Sequence, residues 1–106
     1  LANKDWDDFH ADAQNLLGVS LDAQGRHKEA EQMLRQALDN WQGDPTSVMN
    51  NLALCLASQG MFDESLSTLR KALVLAPAKQ EIARNIQIVE NLRSSIVPAA
   101  PVSLKK

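Results

Sequence analysis

The 106-residue chain has a single cysteine, no tyrosine, four glycines, four prolines and only two Trp and two Phe. With Cys55 alone, an intramolecular disulfide and any cysteine-based zinc site are excluded. The scarcity of aromatics and turn formers argues against a β-sandwich or barrel, which needs aromatic strands and many turns. No apolar run approaches the ~18–20 residues of a membrane span, and none has the form of a signal-peptide core. A net charge of −2 removes the broad cationic surface that nucleic-acid binding requires. What is present is 44% hydrophobic and 23% charged, the composition of a chain that folds around one core. It is rich in Ala, Leu, Gln and Asn and reads as helical throughout.

Charge is unevenly placed. Residues 1–45 carry nine acids against four bases, whereas residues 46–106 carry four acids against seven bases. Solvated helix faces account for this, but a dipolar molecule could also stack head to tail, so a homo-oligomer through the ends of the chain is one expectation.

Sliding the sequence along itself reveals its organisation. Laid on residues 46–80, residues 11–45 match at ten positions: Asn15/Asn50, Leu17/Leu52, Leu21/Leu56, Gln24/Gln59, Gly25/Gly60, Glu29/Glu64, Leu34/Leu69, Arg35/Arg70, Ala37/Ala72 and Leu38/Leu73. Gly18/Ala53, Ser20/Cys55 and Ala30/Ser65 preserve small size where helices would approach closely. Leu17 and Leu21, then Leu34 and Leu38, stand four apart as on one helical face, and the second copy repeats this. Each unit is therefore a helix, a turn centred on Gly25 or Gly60, and a second helix. Glycine at that place takes the left-handed backbone that ends a helix. Asp44-Pro45 opens the next helix near Thr46, and Pro77 closes the second unit. Gln80 to about Ser95 reads as a fifth helix, with Ile82, Ile86 and Val89 on one face.

A helix-turn-helix period with Leu17-Gly18, Gly25, Glu29-Ala30 and Ala37-Leu38, and then Leu52-Ala53, Gly60, Glu64-Ser65, Ala72-Leu73 and Pro77, resembles the tetratricopeptide (TPR) repeat. The resemblance covers residues 11–80 directly and adds a capping helix. It implies an all-α solenoid: 1–10 a lead from an upstream helix or repeat, 11–45 the first repeat, 46–79 the second, 80–96 the capping helix and 97–106 a flexible tail. Leu21, Leu56, Leu34 and Leu69 replace the aromatics often found in the family. A narrower resemblance, to the TPR lipoprotein of bacterial tight-adherence (Flp-type) pilus systems, is carried by Asn50-Asn51-Leu52-Ala53-Leu54, Asp63-Glu64-Ser65, Leu69-Arg70 and Gln80-Glu81-Ile82-Ala83-Arg84-Asn85. It implies a non-enzymatic assembly factor at the periplasmic side of the outer membrane, with a secretin or pilus component as partner. A generic adaptor, cytoplasmic in that case, is the alternative. A chain that begins at Leu1 is expected to be part of a longer protein or of an assembly.

The solenoid that the resemblance implies curves, and first-helix residues line its concave face. By resemblance that groove contains Asp12, Asn15, Val19, Asp22, Asn50, Asn51, Leu54 and Ser58, then Arg84, Ile88 and Asn91. Asparagine amides can pair with both N–H and C=O of a peptide backbone, and Leu54 with Ile88 would add an apolar pocket. The two-carboxylate clamp of chaperone-adaptor TPRs maps to Asn15, Val19, Asn51, Glu81 and Asn85. Only Asn51 agrees, so a chaperone tail is disfavoured.

Catalytic chemistry has little to work with. His10 and His27 lack a metal-ligand spacing, and Asp5, Asp7, Asp8 and Asp12 suit the positive end of a helix better than a calcium loop. No Gly-rich phosphate loop or Ser/His/Asp set is present, and no cofactor or metal is implied. Cys55, flanked by apolar residues, reads as a buried small hydrophobe and not as a reactive thiol. Trp6, Phe9 and Trp41 are expected to cover repeat edges, with Trp6 and Phe9 as an alternative docking point.

Overall fold

The computed structural model describes residues 2–96, with side chains from His10 onward. The tail at 97–106, and the side chains of Trp6, Phe9, Asp5, Asp7 and Asp8, lie outside the described residues. Among the described residues five helices follow one another: α1 (Ala2–Ala23), α2 (His27–Asn40), α3 (Thr46–Ser58), α4 (Phe62–Leu75) and α5 (Gln80–Ile96). Each packs on the next, and the first helices of successive units also meet, α1 with α3 and α3 with α5. The result is an all-α solenoid. Residues 2–10, read as a lead, continue α1 without a break.

The two turns are built alike. Gly25 (φ +83°) and Gly60 (φ +80°) take the left-handed conformation. Beyond them Arg26 N–H reaches back to Leu21 O and Met61 N–H to Leu56 O, both at 2.9 Å. This bond across five residues satisfies carbonyls that the end of a helix leaves open. Between units, the Asp44 carboxylate accepts the Thr46 N–H at 2.9 Å, and Trp41 folds back to donate its indole N–H to Asp44 O. Pro45, expected at the first helical position, is itself the N-cap residue: its carbonyl takes the Met49 N–H at 2.9 Å, and Asp44, expected as the cap, stands one residue earlier and holds the first N–H of α3. Lys79 ties the second linker to the first through Thr46 Oγ1 at 2.7 Å and Asp44 at 3.3 Å.

The core consists of two adjoining clusters. Leu21, Ala30, Leu34, Leu52, Cys55 and Leu56 join the units, and Met49, Ala53, Phe62, Leu66, Leu69, Ala72, Ile82 and Val89 join the second unit to α5. Half-buried Leu38 touches both. Small residues set the helix spacing. A Cβ on Gly18 would sit 2.6 Å from Leu34 Cγ, so α1 and α2 approach too closely for any side chain there. In the second unit Ala53 stands at that place, and Ser65, opposite, donates its buried hydroxyl to Ala53 O at 2.7 Å. A buried hydroxyl without such a partner would be costly.

Candidate partner-binding groove

The first helices of the three units carry their side chains in register. Residues of α1 recur 35 positions on in α3, and those of α3 recur 34 positions on in α5, because the second linker is one residue shorter. Asn15, Asn50 and Arg84 therefore share one row, Leu16, Asn51 and Asn85 a second, and Val19, Leu54 and Ile88 a third.

The first two rows are joined by hydrogen bonds. Asn51 Nδ2 donates to Asn15 Oδ1 at 3.1 Å, and Asn85 Nδ2 donates to Asn50 Oδ1 at 2.9 Å. Once the shift between linkers is allowed for, these are the same bond made twice. Each leaves one amide's N–H groups and the other's carbonyl for a ligand. The third row is an apolar column: Val19 and Ile88 are exposed by 42% and 46%, with half-buried Leu54 between them.

The remaining expected groove residues fall into two groups. Asp12 and Arg84 are exposed and place opposite charges at opposite ends of the column. Asp22, Ser58 and Asn91 are engaged within the protein. Asp22 Oδ1 lies 2.6 Å from His27 Nδ1, the Ser58 hydroxyl donates to Leu54 O, and Asn91 Oδ1 accepts from Gln87 Nε2. The sequence reading missed Asn85 as a groove residue, together with exposed Leu16 and Leu92. Comparing α5 with α3 at a spacing of 34 exposes Asn85 and Leu92, and comparing α1 with α3 at 35 exposes Leu16 opposite Asn51.

Asp22, His27 and Cys55 do meet, but not as a catalytic set. The Cys55 thiol donates to the His27 backbone carbonyl at 3.2 Å, not to its ring. Burial first, and then the negative charges of Asp22 and Glu31, push this thiol up to about 12. A nucleophilic cysteine needs the reverse, a cation that favours the thiolate. Cys55 is instead a seam residue between units. Among the described residues, no group of three or more His, Cys, Asp or Glu could hold a metal ion. Among them, too, no helix is long and apolar enough to cross a membrane.

A second seam runs along the outer edge. Arg35 reaches Glu31 on its own helix and Glu64 on the next unit, both at 2.8 Å, and Gln59 donates to the other Glu31 oxygen at 3.0 Å. Burial disfavours the Glu31 carboxylate, yet the bonds from Gln59 and Arg35, with the charges of Arg35 and Lys28, hold its carboxyl below the usual value. Arg70 to Glu90 at 2.7 Å and Arg93 to Asp63 at 2.8 Å tie α5 on in the same manner.

Two family models described as tetratricopeptide repeat match residues 2–45 and 48–83. The chain belongs to the tetratricopeptide-repeat family. No curated protein matches it. Tandem TPR units make it a protein–protein interaction module, and TPR repeats are typically non-catalytic. In this TPR protein the matches take in Asn15, Asn50 and Asn51 and, of the apolar column, Val19 and Leu54; Arg84, Asn85 and Ile88 lie beyond them on α5.

Proposed function

We propose that the TPR groove binds an extended or helical segment of a partner protein along the column Val19, Leu54 and Ile88. The observation that carries this reading is the register of three apolar side chains, two of them over 40% exposed, beside amides that hold the helices in place. Apolar contact supplies the affinity, at roughly 25 cal/mol per Å² buried. The open N–H groups of Asn15 and Asn50 and the carbonyls of Asn51 and Asn85 orient the backbone. Asp12 at one end and Arg84 at the other favour a segment with a base toward α1 and an acid toward α5.

As to setting, the resemblance of the stretches Asn50–Leu54 and Gln80–Asn85 to the Flp-pilus TPR lipoprotein supports a role in assembling a bacterial envelope machine. Its partner would be a secretin or pilus component on the periplasmic side of the outer membrane. A photo-crosslinking amino acid at Leu54, introduced in the source organism, tests both levels. A crosslink to such a component, lost on Ile88→Glu, is the expected result. A crosslink confined to cytosolic proteins sinks the envelope setting. No crosslink at Leu54, with efficient crosslinking from the opposite face, sinks the groove.

A further inference from the structure

On α5 the apolar column continues along the helix. Ile88, Leu92 and Ile96 stand four residues apart and are exposed by 46%, 42% and 62%. That spacing brings side chains back to one side, so the three form a single stripe from the column to Ile96, the last described residue. Neither other first helix has its like: the place of Leu92 is held by Ser58 on α3 and by Ala23 on α1. The stripe therefore joins the groove to the point where the next segment of the chain departs.

That segment, residues 97–106, has the sequence Val-Pro-Ala-Ala-Pro-Val-Ser-Leu-Lys-Lys, with two bases and no acid. Pro98 and Pro101 have no N–H to leave unmet on burial. Its length suits the groove. With first helices about 8–10 Å apart and a rise of about 1.5 Å per residue, Leu54 lies roughly 15 Å from Ile96, Val19 roughly 22 Å and Asp12 roughly 29 Å. At about 3.1 Å per residue of extended, proline-compatible chain, Val102 reaches about 19 Å from Ile96, Leu104 about 25 Å and Lys105 about 28 Å. Apolar side chains thus come level with Leu54 and Val19, and the bases with Asp12. The charges agree with this course. Asp12 and Asp22 lie on α1 to either side of Val19, whereas Arg84 on α5 repels lysines from a path straight down that helix.

We propose that residues 97–106 fold back over the stripe and occupy the groove as the chain's own ligand, with Val102 and Leu104 against Leu54 and Val19 and with Lys105 and Lys106 toward Asp12. The proposal rests on the groove reading above and adds its regulation: a partner must displace this segment. The tether gives the segment an effective concentration in the millimolar range. It has no acid to set against Arg84, so a partner segment carrying one gains a pairing that the resident lacks.

A photo-crosslinking amino acid at Leu54 of the purified full chain, with products mapped by mass spectrometry, is the test. Leu54 should capture residues 101–106 of the same molecule. The control position is Ser67, exposed on α4 between Asp63 and Arg70, both of which bond to α5. A freely moving segment would reach Ser67 as readily as Leu54; a docked one should give at most one-fifth of the Leu54 yield there. Leu104→Asp should cut the Leu54 yield at least fivefold. Lys105→Glu with Lys106→Glu should lower it too, and Asp12→Lys should restore part of that loss. Equal yields at Leu54 and Ser67, or a Leu54 yield unmoved by Leu104→Asp, overturn the proposal. Crosslinks found only between heavy and light chains of an isotope-mixed sample also overturn it, because a second copy would then fill the groove. Partner capture in the source organism is scored separately. A groove that takes a partner but never residues 97–106 refutes only the proposal made here, and one that takes residues 97–106 but never a partner refutes the groove as a partner site and not its occupation by the chain itself.

Discussion

Asn51 donates its side-chain amide to Asn15 across the joint between the two units, at 3.1 Å. The bond recurs between Asn85 and Asn50, so a polar tie links each first helix to the next. In a half-buried setting such a bond contributes about 0.5–1.5 kcal/mol net. Its greater effect is to hold the register of Val19, Leu54 and Ile88, on which the proposed groove depends. Asn15→Ala and Asn51→Ala should each destabilise by that amount, and the double-mutant cycle in urea should show a coupling of similar size. A coupling near zero would mean that the amides act independently.

Gly18→Ala tests helix spacing. The added methyl meets Leu34 Cγ at 2.6 Å and Ala30 O at 3.3 Å, and overpacking of this kind costs about 1–3 kcal/mol. For a domain of this size, Tm should fall by roughly 5 °C or more. Leu34→Val should cost less in the Gly18→Ala background than in the natural chain, because it removes part of the clash. Gly25→Ala differs, since nothing lies within 4 Å of its added Cβ. Its cost, about 1–2 kcal/mol, comes from the backbone angle alone and should not respond to Leu34→Val.

Cys55 should resist alkylation. Buried, and with its thiol pushed up to about 12, it should react with iodoacetamide at pH 8 orders of magnitude more slowly in the native protein than in urea. Native reaction at the rate of a free thiol would contradict the seam described between Cys55, His27 and Asp22.

Acid should loosen the joints between units before neutral conditions do. Glu31 is held below its ordinary 4.5, with burial outweighed by its bonds from Gln59 and Arg35. Asp44 is held below its ordinary 3.8, chiefly by the Thr46 N–H. A carboxyl whose folded value is depressed stabilises the protein above its unfolded value, and that contribution is lost as pH falls through the folded one. Stability to urea should therefore be flat from pH 7 to about 5 and decline below about 4.5. Glu31→Gln should flatten part of the decline, and an unchanged profile in Glu31→Gln with Asp44→Asn would refute this account.

Much of this was legible in the sequence because it rests on local chemistry repeated at a fixed spacing. Gly25 and Gly60 mark the turns since only glycine enters the left-handed region freely. Leu17, Leu21, Leu34 and Leu38 mark the helices since four residues bring a side chain back to the same face. The all-α solenoid follows from these facts, as does the placement of Val19, Leu54 and Ile88 on first helices. The partners of polar groups were not legible. Asn15 and Asn51 could equally have awaited a ligand, and only the approach of α1 to α3 decided that they bind each other. Cys55 reads as buried from its apolar flanks, but that its thiol donates to the His27 backbone carbonyl is seen only in the tertiary structure. Leu17 and Leu52 are identical in sequence, and one is half exposed while the other is buried. The sequence by itself determined which residues share a helix face. The tertiary structure decided which of those faces is covered, because burial and hydrogen bonding depend on what a neighbouring unit brings into contact, and α1 has no such neighbour among the described residues.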